Sequence, residues 1–234
     1  MDFGIAALAL GVIFFVGIHA IPAIGVVRAG AVKAVGENAF RGVFSLVSVA
    51  GLIWVIWAYK KAPSLEPVLW TGGNGARYAA LVLMAIAFVL FVCALSAPNP
   101  TAAGGEKLLK KGDAAHGIFR VTRHPLMWSF GLWGVAHLLN RTDPASLWLF
   151  GGMAVLALTG TVMIDGKKKR LVPEQWGPFA AVTSNIPFAA IIAGRNRLAI
   201  GEIGWWRIAL GLVVWAVVAF WGHAWVSGLV ILPS

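Results

Sequence analysis

The chain alternates long apolar stretches with short segments that carry nearly all of its charges. Six long stretches contain no Asp, Glu, Lys or Arg: 3–27, 42–59, 78–105, 124–140, 144–164 and 208–234. Each is close to or above the roughly 18–20 apolar residues that cross a hydrocarbon core of about 30 Å. The pattern predicts an all-α integral membrane protein, a bundle of about six transmembrane helices.

One further uncharged segment, 175–194, has a different character. It contains Pro178, Pro187 and the polar run Thr183-Ser184-Asn185. Prolines and polar side chains are poorly suited to the middle of a helix that faces lipid. We therefore expect an interfacial or re-entrant segment before the last span, and we expect residues 1–234 to form a single transmembrane domain.

Composition excludes a soluble protein. Hydrophobic residues make up 59% of the chain and charged residues only 12%, whereas a soluble domain has about 25% charged residues. The single cysteine, Cys93, excludes an intrachain disulfide and a metal site built from cysteines. Motifs typical of soluble enzymes, such as the phosphate-binding Walker A sequence, are absent.

The basic residues predict the orientation. We call side A the membrane face on which the first span begins, and side B the opposite face. Of 19 Lys and Arg residues, four fall on side A: Lys60, Lys61, Arg77 and Arg141. The other fifteen fall on side B, so side B should be cytoplasmic and both termini periplasmic at a bacterial inner membrane. The net charge of +10 lies in loops between spans, which predicts contact with membrane lipids and no nucleic acid. No oligomeric state follows from the sequence.

Three of the five histidines fall inside predicted spans. Counted from the nearest side-B arginine at 1.5 Å per residue, His19 lies roughly 14 Å deep, His137 roughly 21 Å and His223 roughly 24 Å. Ionisable groups at such depth indicate function by default, although a neutral histidine can also join helices through hydrogen bonds. Protons, a metal ion or haem could each explain three histidines on different helices.

Haem fits this set best. No Asp or Glu lies inside a predicted span, which disfavours a carboxylate-supported metal centre, whereas haem needs only two facing imidazoles and an apolar pocket. We therefore predict haem (iron), with ligands from His19, His137 and His223. Basic groups on side B are candidates for holding its propionates or another anionic group, although they could equally be a topology signal. They are Arg28, Arg41, Arg120, Arg123 and His124.

Several motifs resemble the NnrU family, whose plant relatives are the 15-cis-ζ-carotene isomerases. They are His19-Ala20-Ile21-Pro22 with Arg28, Phe44-Ser45-Leu46-Val47-Ser48, Arg123-His124-Pro125, the run from Leu132 to Leu139 that contains Ala136-His137, and Leu149-Phe150-Gly151-Gly152. The resemblance implies a haem b-dependent membrane isomerase that acts on a cis double bond of a lipophilic polyene such as 15-cis-ζ-carotene. It also implies that His19 and His137 are the axial, catalytic ligands, with His223 as a replacement for either.

Two alternatives remain open. The plant isomerases carry a cysteine three residues before the second histidine, where this chain has Gly134, and bacterial members are associated by name with nitrite and nitric oxide reduction. A non-enzymatic haem or redox protein in denitrification is therefore one alternative. The stretch from Gly117 to Pro125 also resembles membrane isoprenylcysteine and phospholipid methyltransferases, which use S-adenosylmethionine. That family has a Glu-Glu pair where this chain has Asp165-Gly166.

Overall fold

The structure is a computed structural model that describes residues 3–62 and 67–227, without the side chain of Arg141. Its first helices are α1 (Phe3–Ala20), α2 (Gly25–Val35), α3 (Glu37–Lys61), α4 (Asn74–Ser96), α5 (Glu106–Leu109), α6 (Ile118–Val121) and α7 (Pro125–Asn140). They are followed by α8 (Pro144–Ser146), α9 (Gly152–Leu171), α10 (Pro173–Val182), α11 (Ala189–Ile192), α12 (Ile200–Ile203), α13 (Trp205–Val217) and α14 (His223–Ser227). A 3₁₀ turn covers Ile21–Ala23, and π-helical turns cover Leu147–Gly151 and Val218–Gly222. Two short strands, β1 (Trp70–Thr71) and β2 (Arg141–Thr142), pair antiparallel.

The prediction of an all-α membrane bundle is confirmed. Within the described residues, five helical segments are long and apolar enough to cross a membrane: Phe3–Ala23, Glu37–Lys61, Asn74–Ser96, Pro144–Leu171 and Trp205–Ser227. The remaining predicted span corresponds to α7, whose 16 residues make a helix of about 24 Å. It packs against both α4 and α9, so the shortest span is also a central one.

The first span ends earlier than its uncharged run suggested. Helix α1 stops at Ala20, and the 3₁₀ turn that contains Pro22 leads to Ile24 in an extended conformation before α2 begins. Proline cannot continue an α-helix because its ring clashes with the preceding turn and its nitrogen has no hydrogen to donate. His19 therefore lies at the side-B end of α1, and the depth of 14 Å, which assumed a continuous helix to Arg28, was wrong.

The segment 175–194 is not a span. After α10 the chain turns back along side B, where the backbone N–H of Arg123 donates to Ser184 O (2.9 Å) and that of Phe188 donates to Val121 O (2.9 Å). The Thr122 hydroxyl donates to Asn185 O (2.6 Å). These bonds satisfy an irregular backbone at the membrane face, as an apolar environment requires.

Glycines set the close approach of α7 to α9. A β-carbon on Gly134 would lie 2.5 Å from Phe150 O and 2.9 Å from the β-carbon of Ala154, and one on Gly131 would lie 2.8 Å from the Leu158 side chain. Small residues at a helix interface allow backbones to approach closely in a membrane, where helices associate by packing. This leaves no room at position 134 for a cysteine side chain.

A cluster on side B ties the last span to α6. Glu202, just before α13, accepts hydrogen bonds from Arg120 Nε (2.6 Å) and Nη2 (3.1 Å) and from the backbone N–H of Gly117 (3.2 Å). His116 and Arg197 lie 3.6 Å and 3.7 Å from its carboxylate. The Arg120 hydrogen bond is the main reason that the pKa of Glu202 falls from 4.5 to about 2, and burial opposes the shift.

We expect Gly134→Ala to destabilise the bundle by about 1–3 kcal/mol, because the added methyl meets backbone that cannot move without separating α7 from α9. The measurement is thermal unfolding in detergent. The control is Gly17→Ala on α1, where nothing lies within 4 Å of an added β-carbon. Equal melting temperatures for the two variants would contradict the role given to Gly134.

We expect Glu202→Gln to lower the melting temperature at neutral pH, with the difference from wild type closing as the pH falls. The folded pKa of Glu202, about 2, is below its ordinary value of 4.5. Its ion pairs therefore stabilise the fold above pH 4.5, and this contribution is lost between pH 4.5 and pH 2. The control is Glu174→Gln, an exposed residue without an ion pair in the described chain. A difference for Glu202→Gln that is independent of pH would refute the electrostatic account.

Candidate functional site

Two of the three membrane histidines lie together. The imidazole rings of His137 and His223 are 6.2 Å apart, centroid to centroid, with their planes inclined by 29°. Phe150 stacks on the other side of His137 at 4.3 Å, and Trp133 lies at 5.1 Å. The fold thus joins the end of α7, the start of α14 and the π turn before α9 in one aromatic cluster near side A.

Both π-helical turns of the described chain adjoin this pair. Phe150 belongs to the turn Leu147–Gly151, and His223 follows directly after the turn Val218–Gly222. A π turn inserts an extra residue and rotates the helix that follows, and such turns are frequent at functional sites. The rotation of α14 relative to α13 brings His223 to face His137.

Each imidazole of the pair is oriented by a hydrogen bond within its own helix. Nδ1 of His137 lies 2.8 Å from Trp133 O, which can only accept, so Nδ1 carries the hydrogen and Nε2 is the basic nitrogen. Nδ1 of His223 lies 3.1 Å from Ser227 Oγ, whose own hydrogen is donated to His223 O. A hydrogen bond from Nδ1–H to an oxygen is the usual way in which proteins orient a histidine that binds a metal through Nε2.

His19 is not part of this cluster. Val12 on α1 and Gly134 on α7 both lie against the beginning of α9, so they mark one level of the bundle. His137 is three residues from Gly134 toward side A, and His19 is seven residues from Val12 toward side B. At 1.5 Å per residue the two rings are separated by about 15 Å along the bundle. The structure therefore pairs His137 with His223, and His19 packs against Phe15 and Phe44 instead.

The pair can supply two axial ligands but not a complete protein-only metal site. No group of three or more His, Cys, Asp and Glu residues in the described chain could hold a metal ion. Two imidazoles among aromatic side chains are, however, the protein ligands that a six-coordinate haem requires. The donor set therefore fits haem better than a bare metal ion.

The side-B arginines are engaged elsewhere. Arg28 (2.5 Å) and Arg41 (2.8 Å) both bind Glu37, Arg120 binds Glu202, and Arg123 binds Asp165 at 2.6 Å. Position 123 lies fourteen residues before His137, which is about 21 Å along the helix. The structure does not bring these four arginines to the histidine pair.

Asp165 organises a second cluster on side B. Its carboxylate binds Arg123 and, at 2.6 Å, Nε2 of His124, which is only 2% exposed. Arg123 also donates to Thr183 O at 3.0 Å. Sequence reasoning noted Asp165 only as a departure from a Glu-Glu pair and gave it no role, because it lies just beyond the fifth uncharged run, yet α9 continues to Leu171. The available signal was a lone carboxylate six residues before the end of that helix.

An apolar groove of about 790 Å³ lies between α4, α7 and α13. We call it the lipid groove. Its lining residues are apolar or aromatic and none is charged; they include Tyr78, Leu81, Val89, Trp128, Leu132, Ile203, Ile208, Leu212 and Trp215. Tyr78 lies one turn into α4, and the preceding Gly72 lies against Leu139 O. The groove therefore runs from about the depth of His137 to side B.

Two plant proteins are similar to this chain, and both are named 15-cis-zeta-carotene isomerase, chloroplastic. The protein from Arabidopsis thaliana is 27% identical over 181 residues, which cover 71% of this chain and 45% of that protein. The protein from Zea mays is 34% identical over 90 residues, which cover 35% of this chain and 22% of that protein. The chain thus spans less than half the length of these relatives. No solved structure matches it.

The family comparison covers the whole bundle. The match runs over residues 7–231 and is to the family described as NnrU protein. It includes both histidines of the pair as well as the Arg123-His124 motif, and it confirms the resemblance read from the sequence. This protein belongs to the NnrU family.

Proposed function

We propose that this protein is a haem-dependent membrane isomerase that acts on a cis double bond of a lipophilic polyene. The observation that carries the proposal is the His137–His223 pair, set in a bundle with an uncharged groove that reaches the same depth. The names of the two plant relatives support the reaction class. The substrate class follows from the chemistry of the groove.

In this proposal His137 and His223 hold the haem, in place of the pair His19 and His137 expected from the resemblance. Their Nδ1 hydrogen bonds to Trp133 O and Ser227 Oγ help to orient both rings. Reduced haem iron would supply an electron-rich centre able to weaken a conjugated double bond and so permit rotation. Phe150 and Trp133 exclude water from this region and keep the surroundings apolar.

The lipid groove supports a polyene as the substrate. Its lining offers no charged group and therefore nothing to bind a polar head group, whereas a hydrocarbon chain loses no hydrogen bond on entering it. A volume of about 790 Å³ is within the usual range for sites that hold molecules of this size. Trp128 and Trp215 present flat aromatic surfaces to the groove, which suit a planar conjugated chain.

The side-A position of the pair also suggests an orientation. Fifteen of the 19 basic residues lie on side B, which supports a bacterial inner-membrane protein with side B in the cytoplasm. The proposed haem would then lie in the periplasmic half of the membrane.

We expect His137→Ala and His223→Ala each to abolish the low-spin haem spectrum of protein expressed with ample haem supply, because each removes one axial ligand. His19→Ala and His116→Ala should keep it. The measurements are the visible spectrum before and after dithionite, and the pyridine haemochrome content. A His19→Ala variant that loses the haem spectrum, together with a His223→Ala variant that keeps it, would overturn the ligand assignment. A wild type that stays colourless after haem titration would overturn the haem proposal and direct attention to S-adenosylmethionine binding near His124.

We expect Leu212→Trp to lower polyene turnover at least tenfold while leaving the haem spectrum unchanged, because the larger ring fills the groove. The control is Leu210→Trp, two residues away on α13, which is as exposed as Leu212 (43% against 42%) but does not line the groove. The measurement is conversion of a cis-carotene in liposomes, followed by chromatography. Equal turnover by the two variants would exclude the groove as the substrate site.

One observation favours a second function. A haem held by both histidines of the pair would suit an electron carrier in nitrite or nitric oxide reduction. The two functions differ in whether a histidine ligand of the haem can be replaced by another molecule. Carbon monoxide binding to the dithionite-reduced protein, together with turnover of the polyene, supports the isomerase. Reduced protein that binds no carbon monoxide and turns over no polyene supports the electron carrier.

A further inference from the structure

A second, smaller cavity lies at the side-B face and differs in chemistry from the lipid groove. Its volume is about 230 Å³, enough for several water molecules at about 30 Å³ each. The polar residues that line it are Asn99, Thr101, His124, Lys167 and Lys168. They come from the loop after α4, the beginning of α7 and the end of α9, which meet at this face.

The charge of this cavity is positive. Lys168 is 2% exposed and is satisfied, since its Nζ donates to Glu106 Oε1 (2.7 Å) and Ala102 O (2.8 Å). Lys167 makes no ion pair within 4 Å of a carboxylate in the described chain. Arg28 and Lys168 repel it, and the more weakly acting Glu106 and Glu37 attract it. A half-buried cation without a direct partner is stabilised by an anion that can reach it.

Two further groups of the lining also lack partners in the described residues. Asn99 Oδ1 accepts from the backbone N–H groups of Thr101 (2.9 Å) and Ala102 (3.1 Å) and from the Thr101 hydroxyl (2.8 Å). The Asn99 amide nitrogen is therefore oriented by this turn and donates to no group in the described residues. His124 Nδ1 is buried without a hydrogen-bond partner there, although Nε2 of the same ring is held by Asp165. An unsatisfied buried nitrogen is destabilising and indicates a missing partner.

We propose that this cavity binds the phosphate group of a phosphate ester. Phosphate offers the negative charge that Lys167 lacks and several oxygens that accept from the Asn99 amide. A phosphate monoester can carry a proton near neutral pH, so it can either donate to His124 Nδ1 or accept from it, whichever charge the ring has. The cavity lies at the level of lipid head groups, so the ester is either a phospholipid head group or a soluble compound from the same side.

The site stands apart from the histidine pair and does not depend on the proposed isomerase function. His124 belongs to the beginning of α7 and His137 to its end, about 20 Å away along the helix. Arg123 is excluded as a ligand because Asp165 and Thr183 O occupy it. The specific cation is therefore Lys167, which the sequence grouped with three basic neighbours without distinguishing it.

The test compares Lys167→Gln with Lys169→Gln, which changes an exposed lysine on the same helix that does not line the cavity. In the first arm, inorganic phosphate replaces chloride at constant ionic strength and the melting temperature of detergent-purified protein is followed. In the second arm, native mass spectrometry measures retention of phosphatidic acid against phosphatidylcholine. Asn99→Asp is a second variant, since it keeps Oδ1 in the turn but places a negative charge at the cavity.

We expect saturable binding in at least one arm, about tenfold weaker in Lys167→Gln, as for loss of one charge-assisted hydrogen bond. Binding should be absent in Asn99→Asp and unchanged in Lys169→Gln. A higher melting temperature in inorganic phosphate, without retention of phosphatidic acid, identifies a soluble ester. Retention of phosphatidic acid, without a change of melting temperature in inorganic phosphate, identifies a lipid. All variants are first checked for a single symmetrical gel-filtration peak and, where haem is present, for an unchanged spectrum. Absence of binding in both arms, or equal loss in Lys167→Gln and Lys169→Gln, would overturn the proposal.

Discussion

The close contact between α7 and α9 is the packing on which the rest of the bundle depends. In a membrane, apolar side chains gain little from leaving lipid, so helices are held by van der Waals contact and by the few polar bonds between them. Gly134 allows the backbone of α7 to meet Phe150 O directly. That approach brings the Phe150 ring onto His137 and fixes the depth of the histidine pair. Because Gly131 and Gly134 turn one face of α7 toward α9, a different face of the helix lines the lipid groove.

Polar chemistry is divided between two levels of the molecule. Near side A, two imidazoles lie among aromatic rings and each is oriented by an oxygen of its own helix. At side B, carboxylates and basic groups are arranged in clusters around Glu37, Glu202 and Asp165. This division follows from the cost of charge in hydrocarbon, which confines full ion pairs to the membrane face and permits only neutral rings at depth.

The two levels suit different tasks. In the proposed function the two imidazoles hold a haem, and the lipid groove admits a hydrocarbon substrate from the bilayer. The side-B cavity instead brings Lys167 and the unpartnered Nδ1 of His124 together at the membrane face. Helix α7 connects the two levels, since His124 is at its beginning and His137 at its end. A phosphate at side B and a haem at the histidine pair would therefore contact opposite ends of one helix.

The sequence by itself determined the class of fold, because its few charges cannot cover a soluble surface and its long apolar runs form helices able to cross a membrane. It also identified His137 and His223 as unusual. Its depth count placed them at nearly the same level, roughly 21 Å and 24 Å deep. It could not show that α7 and α14 bring the two rings together, and the resemblance gave His19 as the partner of His137 instead. Nor could it show that Arg28, Arg41, Arg120 and Arg123 are bound to carboxylates. Such pairings join residues as many as 82 positions apart, and only the packing of the helices decides which distant side chains meet.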